Sequence, residues 1–242
     1  MDWVTYFEQN RARRMDIPWE RGIAVEPHLR EPLIRSLQRY QVGEQGDGMH
    51  LKAAVAATSD PAYAAAIALF VQEEQEHARL LARLLQGMDA RLLRRHWSDT
   101  CFTLLRRLAG LRVELMVLMV AEMIAKRYYR ALYEGTDDPV LKTAFAQILR
   151  DEFGHVAFHC DYLQRDFAAL PAPARTIVQR LWRLVFRAAC VVVIYDHRSV
   201  LRAVRVVPGA FWRDCGQIFD EVVARIFGAP AAIEEPLAIK AE

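Results

Sequence analysis

The 242-residue sequence lacks most of the marks of a secreted, disulfide-bonded or membrane-spanning chain. Its four cysteines, Cys101, Cys160, Cys190 and Cys215, are scattered and form no CxxC pair. That leaves no redox or zinc pair adjacent in sequence, and a reduced cytoplasmic protein is the simplest expectation. The longest apolar run, Ala62 to Val71, is far short of the about 20 residues that cross a bilayer, so no membrane partner is expected. The opening residues, MDWVTYFEQNRARR, contain no apolar stretch of the secretory-signal kind. No segment alternates apolar and polar residues as a strand would. Charge of one sign is also missing: the net charge is only +2, which gives no bulk attraction to nucleic acid.

What remains is helical patterning in a chain that is 53% hydrophobic and long enough to bury a sizeable core. The fold class expected is all-α. Residues 1–30, with Pro18 and Pro27 as breakers, read as irregular. Helices are expected from about Glu31 to Ala57, Pro61 to Gln86, Thr100 to Tyr133, Pro139 to Phe167, Arg175 to Val206, and Phe211 to Phe227. Asp60-Pro61 and Asp138-Pro139 each supply a cap and a first-turn proline. Four helices thus fall within 31–166. Additional helices over 167–227 are expected to pack on them, and 228–242 reads as a flexible tail.

One pattern occurs twice. Glu44, Thr58, Asp60, Pro61, Glu74 and His77 recur, each 78 positions later, as Glu122, Thr136, Asp138, Pro139, Glu152 and His155. Within each copy, a Glu precedes the Asp-Pro turn and a Glu-x-x-His follows it at nearly equal distance. At about 1.5 Å per residue, both lie roughly 22 Å from the turn, hence at one height in an antiparallel pair of helices. The i, i+3 spacing places carboxylate and imidazole on one helix face. Two such hairpins side by side gather four carboxylates and two imidazoles. Four negative charges offset two divalent cations held close together, and neutral imidazoles complete the donor set. Carboxylates on core-facing helix surfaces are costly unless paired or metal-bound.

These residues resemble the ferritin-like di-iron carboxylate superfamily, which includes ferritins, rubrerythrins, ribonucleotide reductase small subunits, acyl-carrier-protein desaturases, multicomponent monooxygenases and arylamine N-oxygenases. The resemblance covers residues 31–166. It implies a ferritin-like four-helix bundle with Glu44, Glu74, His77, Glu122, Glu152 and His155 as metal ligands, and Glu74 and Glu152 as bridges. It also implies two iron ions, with Mn/Fe and Mn/Mn pairs equally suited to the donors, and dioxygen as co-substrate. Tyr129, two turns after Glu122, either corresponds to a tyrosine that hydrogen-bonds a ligand in rubrerythrin-like sites or fills the core. The extra histidine ligand of arylamine N-oxygenases is absent, since Ile148 stands at its position, so that reaction does not carry over. The activity implied is an oxidase or oxygenase acting on a small organic substrate, with an external electron donor such as a ferredoxin or a reductase. The alternative is a ferroxidase or metal-handling protein, and a scaffold without metal is a third class.

Other residues have open roles. Glu114 either lines the pocket or adds a ligand. His159, one turn after His155, faces either the site or the core. Asp196-His197 interrupts an apolar helix, either as a simple break or as a pair docked on the site. Tyr40, Leu118 and Met119 are candidates to line a cavity or to fill the core. Glu73 and Glu76 are expected to face outward, and Asp137 and Asp151 to face solvent or cap. Arg180, Arg183, Arg187, Arg198, Arg202 and Arg205 form a basic face, usually solvated, that would also suit an acidic partner. A homodimer is the default oligomer.

Overall fold

A computed structural model describes residues 1–106 and 110–228. Every regular element among them is a helix, in the order α1 (Trp3–Ala12), a 3-10 turn (Trp19–Arg21), α2 (Pro27–Glu44), α3 (Met49–Ala56), α4 (Pro61–Gly87), α5 (Trp97–Arg106), α6 (Gly110–Glu134), α7 (Pro139–Phe167), α8 (Ala172–Asp196), α9 (Arg198–Ala203) and α10 (Pro208–Phe227). None is long and apolar enough to cross a membrane. The expected tail lies outside the described residues, apart from Gly228.

The two Asp-Pro turns start helices as the sequence suggests. Asp60 accepts from the amide of Tyr63, and Asp138 accepts from that of Leu141, with a proline at the first helical position in both. These caps fix where α4 and α7 begin, and therefore the height at which Glu74 and Glu152 lie.

Four expectations about helix extent are corrected, one of them being that the helix expected from Thr100 to Tyr133 is two, α5 and α6, with 107–109 outside the described residues. The first 30 residues are not irregular throughout, because Asp2 caps α1 through the amides of Val4 and Thr5. Trp3 and Phe7, one turn apart, are buried against Phe158 of α7. The helix expected from Glu31 to Ala57 is two helices, broken immediately after Glu44. Gly48 there takes a left-handed φ of +62°, and a side chain would collide with Val71. The helix expected from Arg175 to Val206 is divided at His197 into α8 and α9.

Packing follows the apolar faces. α6 lies along α7, α2 along α4, and α4 against α7, while α1 covers α4. α8 and α10 pack on α6, α10 also reaches α7, and α9 closes on α2. A continuous core runs through all of them, from Phe7 and Phe70 to Phe158, Phe211 and Phe219. α5 is the exception: it has no buried residue and leans on α6 and α2 with a half-open face. That difference positions a cavity described below.

Candidate metal centre

The six residues of the duplicated pattern converge from α2, α4, α6 and α7. Glu74, Glu122, Glu152 and His155 each offer a ligand atom within 4.8 Å of the others, and Glu44, Glu74 and His77 form a second such group. Glu74 belongs to both. His77 Nδ1 is 3.5 Å from Glu74 and 3.8 Å from Glu152; His155 Nδ1 is 3.1 Å from Glu74 and 4.0 Å from Glu152. Glu74 and Glu152 therefore stand between the imidazoles, whose ring centres are 5.5 Å apart. Glu122 lies 3.4 Å from His155. Glu44, the last residue of α2, completes the ring from the side of the helix break.

The outward ring nitrogens are held crosswise. His77 Nε2 bonds Asp151 of α7 at 3.0 Å, and His155 Nε2 bonds Glu73 of α4 at 3.1 Å. Glu73 and Asp151 are buried, which corrects the expectation that they face outward or cap. They are themselves 78 positions apart, so the duplication extends to an acid immediately before each Glu-x-x-His. A carboxylate on one nitrogen fixes the ring orientation and leaves the other nitrogen to act as a donor to metal. α1 braces this layer: Asn10 donates to both Glu73 and Asp151 at 2.7 Å, and Arg14 pairs with Asp151. Gly154 has no side chain where Tyr6 of α1 presses on α7, and this allows α1 to sit so close. Glu76 and Asp137 are exposed, as expected.

The electrostatics are those of crowded, buried carboxylates with only two imidazoles among them. Burial pushes the Glu44 carboxyl well above its usual range, with the charges of Glu74 and Glu122 adding to the effect. Burial likewise raises Glu152, followed by the neighbouring Glu122 charge. Burial also acts to raise Glu74, but hydrogen bonding and charge from His155 and His77 outweigh it and hold the group at about 2. For His155, burial disfavours the charged ring, yet the adjacent carboxylates of Glu122, Glu73 and Glu74 raise its pKa well above the ordinary value. The ion pairs of the four cluster glutamates among the described residues are all to His77 or His155, none to Lys or Arg.

A direct test of fit is which buried atoms lack partners. Four of the twelve buried side-chain atoms without a hydrogen bond among the described residues belong to the cluster: Glu74 Oε1, His77 Nδ1, Glu152 Oε2 and His155 Nδ1. Other unpartnered buried atoms, such as those of Tyr63, Arg127 and Arg150, are scattered, whereas these four converge with donor character on a place that could hold a cation. The donor set of carboxylate oxygens and imidazole nitrogens fits iron or manganese.

Tyr129 is fully buried, and its hydroxyl reaches Glu44 Oε1 at 3.5 Å, the limit of a hydrogen bond. Glu114 belongs to neither metal-compatible group. It is buried on α6 and bonded to His50 of α3 at 2.9 Å, with Arg106 of α5 at 3.6 Å. His159 lies between Phe70 and Phe158 with both ring nitrogens unpartnered, and burial, followed by the nearby His155 charge, lowers its pKa to about 3. Asp196 and His197 do dock on the core. His197 Nδ1 meets Ser36 Oγ at 2.6 Å, Ser36 meets the Tyr128 hydroxyl at 2.5 Å, and Asp196 pairs with Arg39. Of the three lining candidates, Tyr40 and Leu118 border a cavity next to the cluster, and Met119 fills the core.

That cavity, about 450 Å³, opens beside Glu44, Glu74, Glu122 and Glu152. It is bounded by the break after α2, by α5, by α6 and by the second half of α8. Compared with known proteins, the chain matches no protein-family model and no curated protein.

Proposed function

We propose that the chain is a ferritin-like, non-haem di-metal oxidase or oxygenase that uses dioxygen to oxidise a small organic substrate. The observation that carries this reading is the convergence of four carboxylates and two imidazoles, with inward atoms of Glu74, His77, Glu152 and His155 lacking hydrogen bonds, while the outward imidazole nitrogens are each fixed by a carboxylate. Two iron ions suit the donor set, as do Mn/Fe and Mn/Mn pairs. Glu44 and His77 would hold one ion, Glu122 and His155 the other, and Glu74 and Glu152 would bridge them. The packing of α2, α4, α6 and α7 around the cluster supports a ferritin-like bundle.

When bound, the metal pair supplies the electrons that reduce dioxygen. The chain's own residues do the rest. Asp151 and Glu73 hold the Nε2 side of each imidazole and so turn each Nδ1 toward the cluster, where it would bind metal once unprotonated. Tyr129 holds Glu44 at the edge of the site. The apolar wall formed by Phe70, Val71 and Leu118 keeps bulk water from the reacting atoms. An external electron donor, such as a ferredoxin or a reductase, would be required for turnover. The exposed arginines Arg180, Arg187 and Arg198 offer such an acidic partner a basic face.

The cavity favours an organic substrate over ferroxidation, since moving ions needs no apolar chamber of this size. Stopped-flow absorbance after anaerobic Fe(II) loading separates the two. A transient visible band on mixing with O2, absent in Glu74→Ala and Glu152→Ala, is expected of an O2-activating enzyme. Repeated turnover of excess Fe(II) with no such band would instead make Fe(II) the substrate.

A further inference from the structure

The cavity has a composition that the metal cluster does not require. Its volume of about 450 Å³ falls within the range that buries a drug-sized ligand. Beyond the glutamates, its wall is mostly hydrocarbon: Phe102 and Leu105 of α5, Leu118 and Ala121 of α6, Ala189 and Val192 of α8. Its lining on α6 runs from Val117 to Ala125 and on α8 from Val185 to Val193. Each stretch is eight residue steps, about 12 Å at 1.5 Å per step, so the chamber is elongated. Most of the charged and polar groups on the wall are engaged, Asp99 of α5 being the acid without an ion pair or hydrogen bond among the described residues. Arg39 is held by Asp196, Arg106 lies beside Glu114, and His197 is bonded to Ser36.

The mouth is apolar as well. Trp97 and Ala188 are exposed and also line the cavity. Leu184, Val191 and Tyr195 share the exposed face of α8 with Ala188 at helical spacing, interleaved with the exposed Arg180 and Arg187. Away from Asp99 and the glutamates, a charged or heavily hydroxylated substrate entering here would leave water without finding a partner, which is unfavourable. A hydrocarbon would gain from every methylene it buries.

Resting on the reading above, we propose that the substrate is an extended, uncharged apolar molecule of the alkyl-chain class. It would lie along α6 and α8, with the carbon to be oxidised at the glutamate end. Small charged metabolites such as amino acids, and sugars or nucleotides, do not match the wall.

The test is isothermal titration calorimetry of the full chain with 1-hexanol through 1-dodecanol, with glycine and glucose as polar controls. Kd is expected to fall about fourfold per methylene until the chamber is full, with a negative heat-capacity change. Ala189→Trp and Val192→Trp, which fill the trough from α8, should each weaken 1-decanol binding at least tenfold while the number of metal ions bound is unchanged. Two separate positions keep the test decisive if one variant does not fold. No binding by any alcohol, or equal binding in both folded tryptophan variants, would overturn the proposal. If the alcohols fail to bind while iron still loads and reacts with O2, the substrate class falls alone. If the alcohols bind and iron does not, the di-metal reading falls instead.

Discussion

Replacing Asp151 by Asn removes one charge and almost no volume from the layer that orients the imidazoles. Asp151 is fully buried; it meets His77 Nε2 at 3.0 Å, receives Asn10 at 2.7 Å, and is bonded twice by Gln147. Although burial opposes ionisation, the hydrogen bond and charge of His77 and the charge of Arg14 keep its pKa below the usual range, so it is anionic at neutral pH. Outer carboxylates of this kind are worth about 10–100-fold in metal affinity. That corresponds to about 1.4–2.7 kcal/mol on the ion bound by His77. Glu73→Gln should produce the same loss on the ion bound by His155, because the two pairs are crosswise copies. Arg14→Ala serves as a control. It removes a tie from α1 to Asp151 but leaves the His77–Asp151 pair, so metal affinity should stay within about threefold even where thermal stability falls. Anaerobic competition titration of Fe(II) against a chromophoric chelator resolves the tighter and the weaker ion. Unchanged affinities for both ions in folded Asp151→Asn and Glu73→Gln would refute the claim that these carboxylates orient metal-binding imidazoles.

Three further expectations follow from the same packing. His159→Leu removes two unpartnered buried nitrogens and should stabilise the fold by about 1–3 kcal/mol, seen as a higher Tm; a lower Tm would mean that the ring has a partner. Phe7→Ala empties a site in the core against Phe158 and should cost about 3–5 kcal/mol in urea denaturation; a loss below 1 kcal/mol would mean that α1 is only loosely attached. Burial, then the charges of Arg39 and His96, lowers the His197 pKa from 6.5 to about 3. The unfolded chain therefore takes up a proton that the folded chain refuses. Stability present above about pH 6.5 is lost as the pH falls toward 3, by up to about 1.4 kcal/mol per unit. Unfolding free energies from pH 6.5 to 5 should fall less steeply in His197→Gln; identical slopes would contradict the assignment.

The sequence made the cluster legible because its geometry depends on local rules. Asp-Pro caps set the start of α4 and α7, and 3.6-residue periodicity then fixes which residues share a face. The outer carboxylates were legible in principle, since Glu73 and Asp151 obey the same 78-residue offset as their neighbours. They were misread because one residue before a ligand is about 100° around the helix, which looks outward until a second helix covers it. The break after Glu44 also left a signal, the glycines Gly43, Gly46 and Gly48, but the apolar pattern continues across it into α3. α1 could be suspected from Asp2 with Trp3 and Phe7 one turn apart. Its burial comes wholly from tertiary contact with α4 and α7, which no local pattern encodes. The cavity was hidden for the same reason: its walls come from α5, α6 and α8, which are distant in sequence.

The central claim is that Glu44, Glu74, His77, Glu122, Glu152 and His155 form one site for two metal ions. Metal analysis of the full chain after anaerobic Fe(II) loading and removal of excess tests it most directly. Two irons per chain, falling below one in Glu74→Ala with helicity retained, is the expected result. A folded chain that retains no iron, or a Glu74→Ala variant that still retains two, would contradict it.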